Sequence, residues 1–505
     1  MRRRDLLFAG AASIALWHAR FPAEAQALGK ATPFSPQTVR QLARELSQKP
    51  YHPPDTTLPP ELKDLTYDQY RTIRFLPDHA WWRADRLPFQ VELFHRGFFF
   101  VNRVEILEVD KGEARRILYS PSMFSFGDVK LPSANTDLGF AGFRLHYPIN
   151  RPDYCDEFAV FLGATYFRAV GKGQGYGLSA RGLAINTGDP KGEEFPVFTS
   201  FWIERPPPNA NSIVVHGLLD SPSTTGAYRF TIRPGQETTF DVEPVLYPRT
   251  EIAEAGIAPL TTMFLFDAND RKNVDDYRSA VHDSDGLAIH NGRDERLWRQ
   301  LNNPTDLQIS SFTDTNPRGF GFIQRQRDFR AYEDLESHYE RRPSLWVEPI
   351  GDWGEGEVRL IEIPSKEEIH DNMVGLWRPR SPLEAKAEHS FTYRLHWKAD
   401  DSHDFPLARF SKTRVGEGPD DSRLFVLDLI GDKLKEATPP ESVRGQVSAN
   451  KGKIDHVISQ PNIETGGWRL SFQLAPEKEK LVELRAQLMR NDEPLSEVWL
   501  YRWTP

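Results

Sequence analysis

The chain has 505 residues, a single cysteine, 39% hydrophobic and 27% charged residues, and a formal charge of −9. That composition is globular, neither disordered nor membrane-embedded, and the acidic balance speaks against a nucleic-acid footprint over the whole chain. With 34 Gly and 39 Pro the sequence is punctuated often, which suits many short strands better than long helices.

The first segment reads as an address. Arg2-Arg3-Arg4-Asp5-Leu6-Leu7 precedes an apolar stretch, Phe8 to Trp17, that is too short to span a bilayer. Ala25-Gln26-Ala27 follows as a small-x-small cleavage pattern. This order is that of an export signal, and the arginine pair points to the twin-arginine route in bacteria. Residues 1–27 are expected to be removed near Ala27, leaving a periplasmic chain that begins at Leu28. No later stretch approaches the ~20 apolar residues of a membrane span. Cys155 has no intrachain partner and reads as a small apolar filler.

Ser35-Pro36 predicts a helix start, with Val39, Leu42 and Leu46 at helical spacing behind it. A second, short helix is predicted from Thr66. From about residue 90 the period changes to two. Val104 to Val109, the turn Asp110-Lys111-Gly112 and Ala114 to Tyr119 predict a hairpin. Strand patterns continue to about residue 397, among them Tyr228–Ile232 and Arg318–Ile323. The polar run Lys398 to Asp404 reads as a linker. Beyond it the alternation is cleaner: Trp468, Leu470, Phe472 and Leu474, then Val482, Leu484, Ala486 and Leu488, then Trp499, Tyr501 and Trp503. An all-β chain of two packed units is expected, a large β-sandwich over residues 28–398, a linker over 399–410, and an immunoglobulin-like sandwich over 411–505.

Most familiar chemical motifs are absent from the sequence. There is no P-loop, no Gly-x-Ser-x-Gly elbow and no His-Glu-x-x-His zinc helix. Gly171 to Gly177 is glycine-rich but lacks dinucleotide spacing, and reads as a hairpin or close-approach loop. Asp283-Ser284-Asp285-Gly286 resembles a fragment of a calcium loop, but its glycine comes too early. Neither a metal nor a cofactor is expected.

Two acidic spots remain. One is His282-Asp283-Ser284-Asp285. The other is Pro364 to Asn372, lying between a predicted strand, Val358–Ile363, and its return, Met373–Trp377. Tyr339, Arg341, Arg342, Trp346, Glu348, Trp353 and Trp377 lie around them in sequence. Carboxylates among aromatic rings suit carbohydrate, whose C–H faces stack on rings while its hydroxyls need polar partners. If the two carboxylates converge, one can protonate a glycosidic oxygen and the other can activate water. If they do not, each is a turn aspartate bonded to its own backbone.

Longer stretches carry a resemblance. They are Thr136 to Arg144, Phe161 to Val170, Tyr176 to Ala184, Val281 to Asp285, Arg342 to Pro349 and Asp371-Asn372-Met373-Val374. Together, and in this order, they resemble the periplasmic glucan biosynthesis proteins G and D, the OpgG/OpgD or MdoG/MdoD family, over nearly the whole mature chain. The resemblance implies a galactose-mutarotase-like sandwich followed by an immunoglobulin-like domain, and a role in making osmoregulated periplasmic glucans with a β-1,2-linked backbone. It implies that Asp371 is the general acid and Asp283 the base of a glycoside hydrolase or transglycosylase. It places Tyr339, Arg342, Glu368 and Trp377 in the substrate cleft, and Trp346 is expected to line the same cleft. The signal resembles the D branch. The short segment Val415 to Ser422 and the tail from Gly466 look more like the G branch. β-1,2-glucan is the expected ligand, with an inner-membrane glucan synthase and a second copy of the chain as the protein partners left open. Two functions stay open as well, an enzyme acting on β-1,2-glucan and a non-catalytic glucan-binding or assembly factor.

Overall fold

The structure is a computed structural model that describes residues 28–131, 137–399 and 406–505, with the backbone alone at Glu436. The export segment 1–27 and the heart of the expected linker, Asp400 to Phe405, lie outside the described residues. Among the described residues no helix is long and apolar enough to cross a membrane.

The fold is all-β, as expected. One ten-stranded sheet runs in the order Gln308–Thr315, Glu355–Glu362, Met373–Pro379, Ala255–Thr262, Ser179–Arg181, Tyr166–Ala169, Tyr154–Leu162, Phe140–Arg151 and Gln90–His95, with Leu183–Ile185 also paired to Ala255–Thr262. A second sheet lies opposite. Its strands Val197–Glu204, Ile213–Asp220, Thr224–Arg233, Thr238–Pro248, Thr392–Lys398 and Ser344–Ile350 are antiparallel neighbours in that order. It continues through Gly319–Ile323 and Gly286–His290 to Arg296–Gln300.

Phenylalanines from the two sheets meet between them. Phe143 faces Phe201 at 5.0 Å, Phe161 faces Phe230 at 5.3 Å, and Phe167 faces Phe240 at 5.7 Å between ring centroids. Strand alternation sends these rings inward, and all are buried. Gly142 lets the outer strands close on this core, because a Cβ there would lie 2.1 Å from the Phe161 carbonyl oxygen.

The predicted local elements form with small shifts. Pro36–Ser47 is a helix, capped at Ser35 by a box with Thr38. Its inward face is Val39 and Ala43, with half-buried Leu46 packed beside them, whereas Leu42 points to solvent. The short helix Tyr67–Tyr70 starts at Thr66, whose hydroxyl accepts from the Gln69 N–H at 3.2 Å. The hairpin is Glu105–Asp110 with Glu113–Arg116.

Toward the C-terminus a four-stranded sheet, Arg409–Glu417, Arg423–Ile430, Gly467–Ala475 and Lys453–Asn462, encloses a core of its own. Phe425 and Phe472 stack at 4.9 Å, and Trp499 packs on both from the facing strand Val498–Trp503. This core also takes Trp298 and Ile323 from the larger part of the chain. The last strand pairs in parallel with Arg296–Gln300, Leu297 opposite Val498 and Arg299 opposite Leu500, so one sheet runs from the larger part into the smaller.

Phe161 touches five other phenylalanines across the sandwich. Phe161→Ala should lose about 3–5 kcal/mol of stability, read as a lower urea midpoint by intrinsic fluorescence. An unchanged midpoint would mean that the two sheets do not rest on these rings.

Candidate functional site

The connector between Glu355–Glu362 and Met373–Pro379 carries Asp371. Its position is set by hydrogen bonds to neighbouring segments. Asn372 is buried and accepts from the Phe264 N–H at 2.9 Å. Its amide donates to the carbonyls of Phe264 and Ile363, each at 3.0 Å. Asn303 fastens the start of the connector, accepting from Ser365 N–H at 2.9 Å and donating to Ser365 O at 2.8 Å. Asp270 in turn accepts from the Asn303 N–H at 2.8 Å. Asp371 itself is half-buried and lines a cleft of about 330 Å³ with Lys366, Glu367 and His370.

Asp283 flanks the same segment from the other side. Its N–H donates to Met263 O at 2.8 Å, one residue before the Phe264 that holds Asn372. Its side chain is fully buried and its carboxylate contacts the Arg342 guanidinium. Arg342 lies over the Tyr339 ring, 4.2 Å from the centroid. The Tyr339 hydroxyl donates to Glu368 at 3.2 Å, and Glu368 also accepts from Arg278 at 2.7 Å. Arg278 reaches Asp334 at 2.9 Å and Asp276 at 2.8 Å. Burial disfavours the charge of Arg278, yet these carboxylates hold its pKa above the usual arginine value. A charge with so many fixed partners keeps its geometry in a medium where water cannot reorganise around it.

Four of the expected site residues therefore form one network, Asp283, Arg342, Tyr339 and Glu368. Two expected residues lie elsewhere. Trp377 is fully buried between the sheets, 6.2 Å from Trp353, because its place in the strand Met373–Pro379 turns it into the core. Trp346 lies on the opposite face of its strand from buried Leu345 and Val347. It packs toward the C-terminal core, over Gly319, where a Cβ would come within 2.2 Å of its ring.

The glycine-rich loop makes the close approach expected of it, and to this network. The Gly175 N–H donates to Arg341 O at 3.2 Å, and a Cβ on Gly177 would meet the Arg342 side chain at 3.0 Å.

Comparison with known proteins gives the family. The profile described as "Periplasmic glucan biosynthesis protein, MdoG" matches residues 34–503. The chain belongs to the MdoG family. It is similar to the Glucans biosynthesis protein G of Bradyrhizobium diazoefficiens, 59% identical over 505 residues and covering 100% of both chains. The protein of the same name from Rhodopseudomonas palustris strain BisA53 is 60% identical over 504 residues, again 100% of each. That of Vibrio cholerae is 51% identical over 476 residues, 93% of this chain and 87% of the relative.

Against that family background, sequence reasoning passed over three positions. Tyr166 stands near Asp371. Burial first of all raises its hydroxyl pKa, and the Asp371 carboxylate is among the charges that add to the rise. Arg181 lies between two rings, 5.2 Å from the Tyr166 centroid and 5.0 Å from that of half-exposed Phe195. Arg278 is the third. Tyr166 and Arg181 fall inside the very stretches that carry the family resemblance, which was the available signal. Arg278 had none, since the partners that tie it to the network, Asp334 and Glu368, are 56 and 90 residues away along the chain.

Asp270 makes the anchoring of the connector pH-sensitive. Burial pushes its carboxyl up to about 6 from 3.8, against the pull of the Asn303 N–H and with Glu362 adding to the rise. The protonated form contributes stability that is fully present below pH 3.8 and is lost as pH rises through about 6. Asp270→Asn should therefore be more stable than wild type at pH 7, by on the order of 2 kcal/mol, and the gain should vanish near pH 4. Paired urea titrations at the two pH values check this; a pH-independent difference would contradict it.

Proposed function

We propose that this protein acts in periplasmic glucan biosynthesis by cleaving or transferring a β-1,2-linked glucan backbone, with Asp371 as general acid and Asp283 as the carboxylate on the water side. The observation that carries the reading is the opposite placement of the two acids on one support. Asp371 lines a cleft beside Asn372, which bonds to Phe264, and Asp283 is buried and bonds to the adjoining Met263. A donor must reach the leaving oxygen, and Asp371 is on the accessible side. Asp283 has no direct route to bulk water, so it takes the proton of the attacking water through intervening hydroxyls or ordered water rather than by direct contact.

Tyr166 stands near Asp371, and Arg181 lies over its ring and that of half-exposed Phe195, so these rings are candidates to meet a sugar face. Arg342 holds the Asp283 carboxylate in place, and Tyr339, under the Arg342 guanidinium and bonded to Glu368, holds Arg342. Export by the twin-arginine route, cleavage near Ala27, a galactose-mutarotase-like large unit over 28–398 and an immunoglobulin-like unit over 411–505 belong to the same proposal. So do an inner-membrane glucan synthase as partner and a second copy of the chain.

One observation favours a second reading, a glucan-binding or assembly factor without turnover. The Asp283 carboxylate is fully buried and already engaged by Arg342, the arrangement of a structural ion pair.

The purified mature protein should shorten or redistribute linear β-1,2-glucan, as read by chromatography of the products. Asp371→Asn should retain glucan binding and lose about 10²–10⁴-fold in rate. Equal cleavage by wild type and Asp371→Asn would remove Asp371 from the mechanism. Binding without cleavage by wild type would establish the assembly-factor reading instead.

A further inference from the structure

Beside Asp283, on the other side of the strand, three ligating side chains converge. His282 belongs to the short strand Val281–His282, Asp267 follows the strand Phe264–Phe266 paired to it, and Asp285 lies three residues past His282. All three are buried, and one ligand atom from each lies within 4.8 Å of the other two. His282 Nε2 is 3.9 Å from Asp267 Oδ2 and 3.9 Å from Asp285 Oδ1. Among the described residues nothing within hydrogen-bonding distance satisfies that nitrogen, although the residue is fully enclosed.

The tautomer of His282 follows from its neighbour. The Gln324 amide nitrogen donates to His282 O and to Tyr339 O, each at 3.2 Å. Two carbonyls can be faced only by the NH₂ end, so the Gln324 oxygen faces His282 Nδ1 at 3.0 Å. An oxygen acceptor there requires the hydrogen on Nδ1. In the neutral ring Nε2 is then a bare lone pair aimed at two carboxylates. Three acceptors facing one another in a dry site repel unless a proton or a cation lies between them.

The surroundings lock this arrangement. The His282 ring lies between Phe264, stacked at 5.4 Å, and Tyr332, edge-on at 5.2 Å. The second oxygen of Asp285 accepts the backbone N–H groups of Arg325 and Gln326, which leaves Oδ1 directed at His282. Burial raises the pKa of Asp267 and Asp285 adds to the rise, outweighing His282, the Ala268 N–H and the more weakly acting Lys412.

We propose that Asp267, His282 and Asp285 bind a divalent transition-metal ion, with Zn²⁺ the best match. One imidazole and two carboxylates form an N/O donor set suited to zinc. The Nδ1–H bond to Gln324 supplies the outer partner that metal-bound histidines ordinarily have. A point equidistant from the three atoms lies slightly beyond the usual Zn–N and Zn–O lengths of ~2.0–2.2 Å, so a small inward movement of the side chains completes the site. The ion would tie the segment after Phe264–Phe266 to the strand that presents Asp283. It would also tie both to the C-terminal part, because Val415 N–H donates to Ala268 O at 3.2 Å and the Tyr501 hydroxyl to Asn269 O at 3.0 Å. This departs from the sequence expectation of no metal. That expectation weighed Asp283 with Asp285, whereas the bend between the strands Val281–His282 and Gly286–His290 directs those two to different partners.

The test uses tag-free, full-length mature protein stripped by a chelator and then equilibrated with Zn²⁺ alone. Elemental analysis should find one tightly held zinc per chain, and the melting temperature should rise by several degrees on addition of Zn²⁺. Asp267→Asn and His282→Phe should each lose the bound zinc and the thermal response. If either variant fails to fold, diffraction from wild-type crystals at the zinc absorption edge decides, with an anomalous peak expected between the three side chains. No retained zinc in wild type, no peak at that position, or zinc binding unchanged in both folded variants would overturn the proposal.

Discussion

The distance between the two large sheets is set by phenylalanine. Phe143, Phe161 and Phe167 alternate inward from one sheet and meet Phe201, Phe230 and Phe240 from the other. Rigid rings have few ways to pack, so they fix both separation and relative slide. The loops that carry Asp371, Asp283 and Tyr339 leave the strands of these same sheets, and their mutual positions are inherited from that packing. Asn372 then converts sheet geometry into site geometry, since three of its hydrogen bonds join a connector to the neighbouring strands.

Buried charge is the second organising feature. Asp283, Glu368 and Asp334 are taken out of water, and each is met by an arginine. Removing one member of such a set leaves a stranded charge, which costs more than the intact pair contributes. The network is therefore cooperative. That property suits a position that must be held the same way whether or not a long polymer lies above it.

Much of this was readable beforehand, and for identifiable reasons. Period-two alternation marked Gly467–Ala475, Val482–Arg490 and Val498–Trp503, because one face of each is a core and the other is wet. Ser35-Pro36 and the Thr66–Gln69 box marked two helix starts, because capping is local chemistry. Trp346 and Trp377 were misplaced because composition says that rings are near carboxylates in sequence, not which face of a strand they take. The Leu42 face was misjudged for a related reason. Ala43 packs under Thr225 and Tyr247, and small size rather than hydrophobicity chose the buried side. Arg278 and the Asp267–His282–Asp285 cluster were invisible because they are assembled from separate segments of the chain.

The parallel pairing of Arg296–Gln300 with Val498–Trp503 has a temporal meaning. About two hundred residues separate the partners, and the later one is made last. Until then Arg296–Gln300 is paired on one side only, with Gly286–His290, the groups on its outer edge are unmatched, and the core around Trp298 lacks Trp499 and Tyr501. Native order cannot spread from the first residue to the last as synthesis proceeds. That pairing is a contact of long sequence separation, and such distant pairings are slow to form. A chain shortened by even its final strand would keep that margin permanently, and would meet other copies of itself with an unfilled edge.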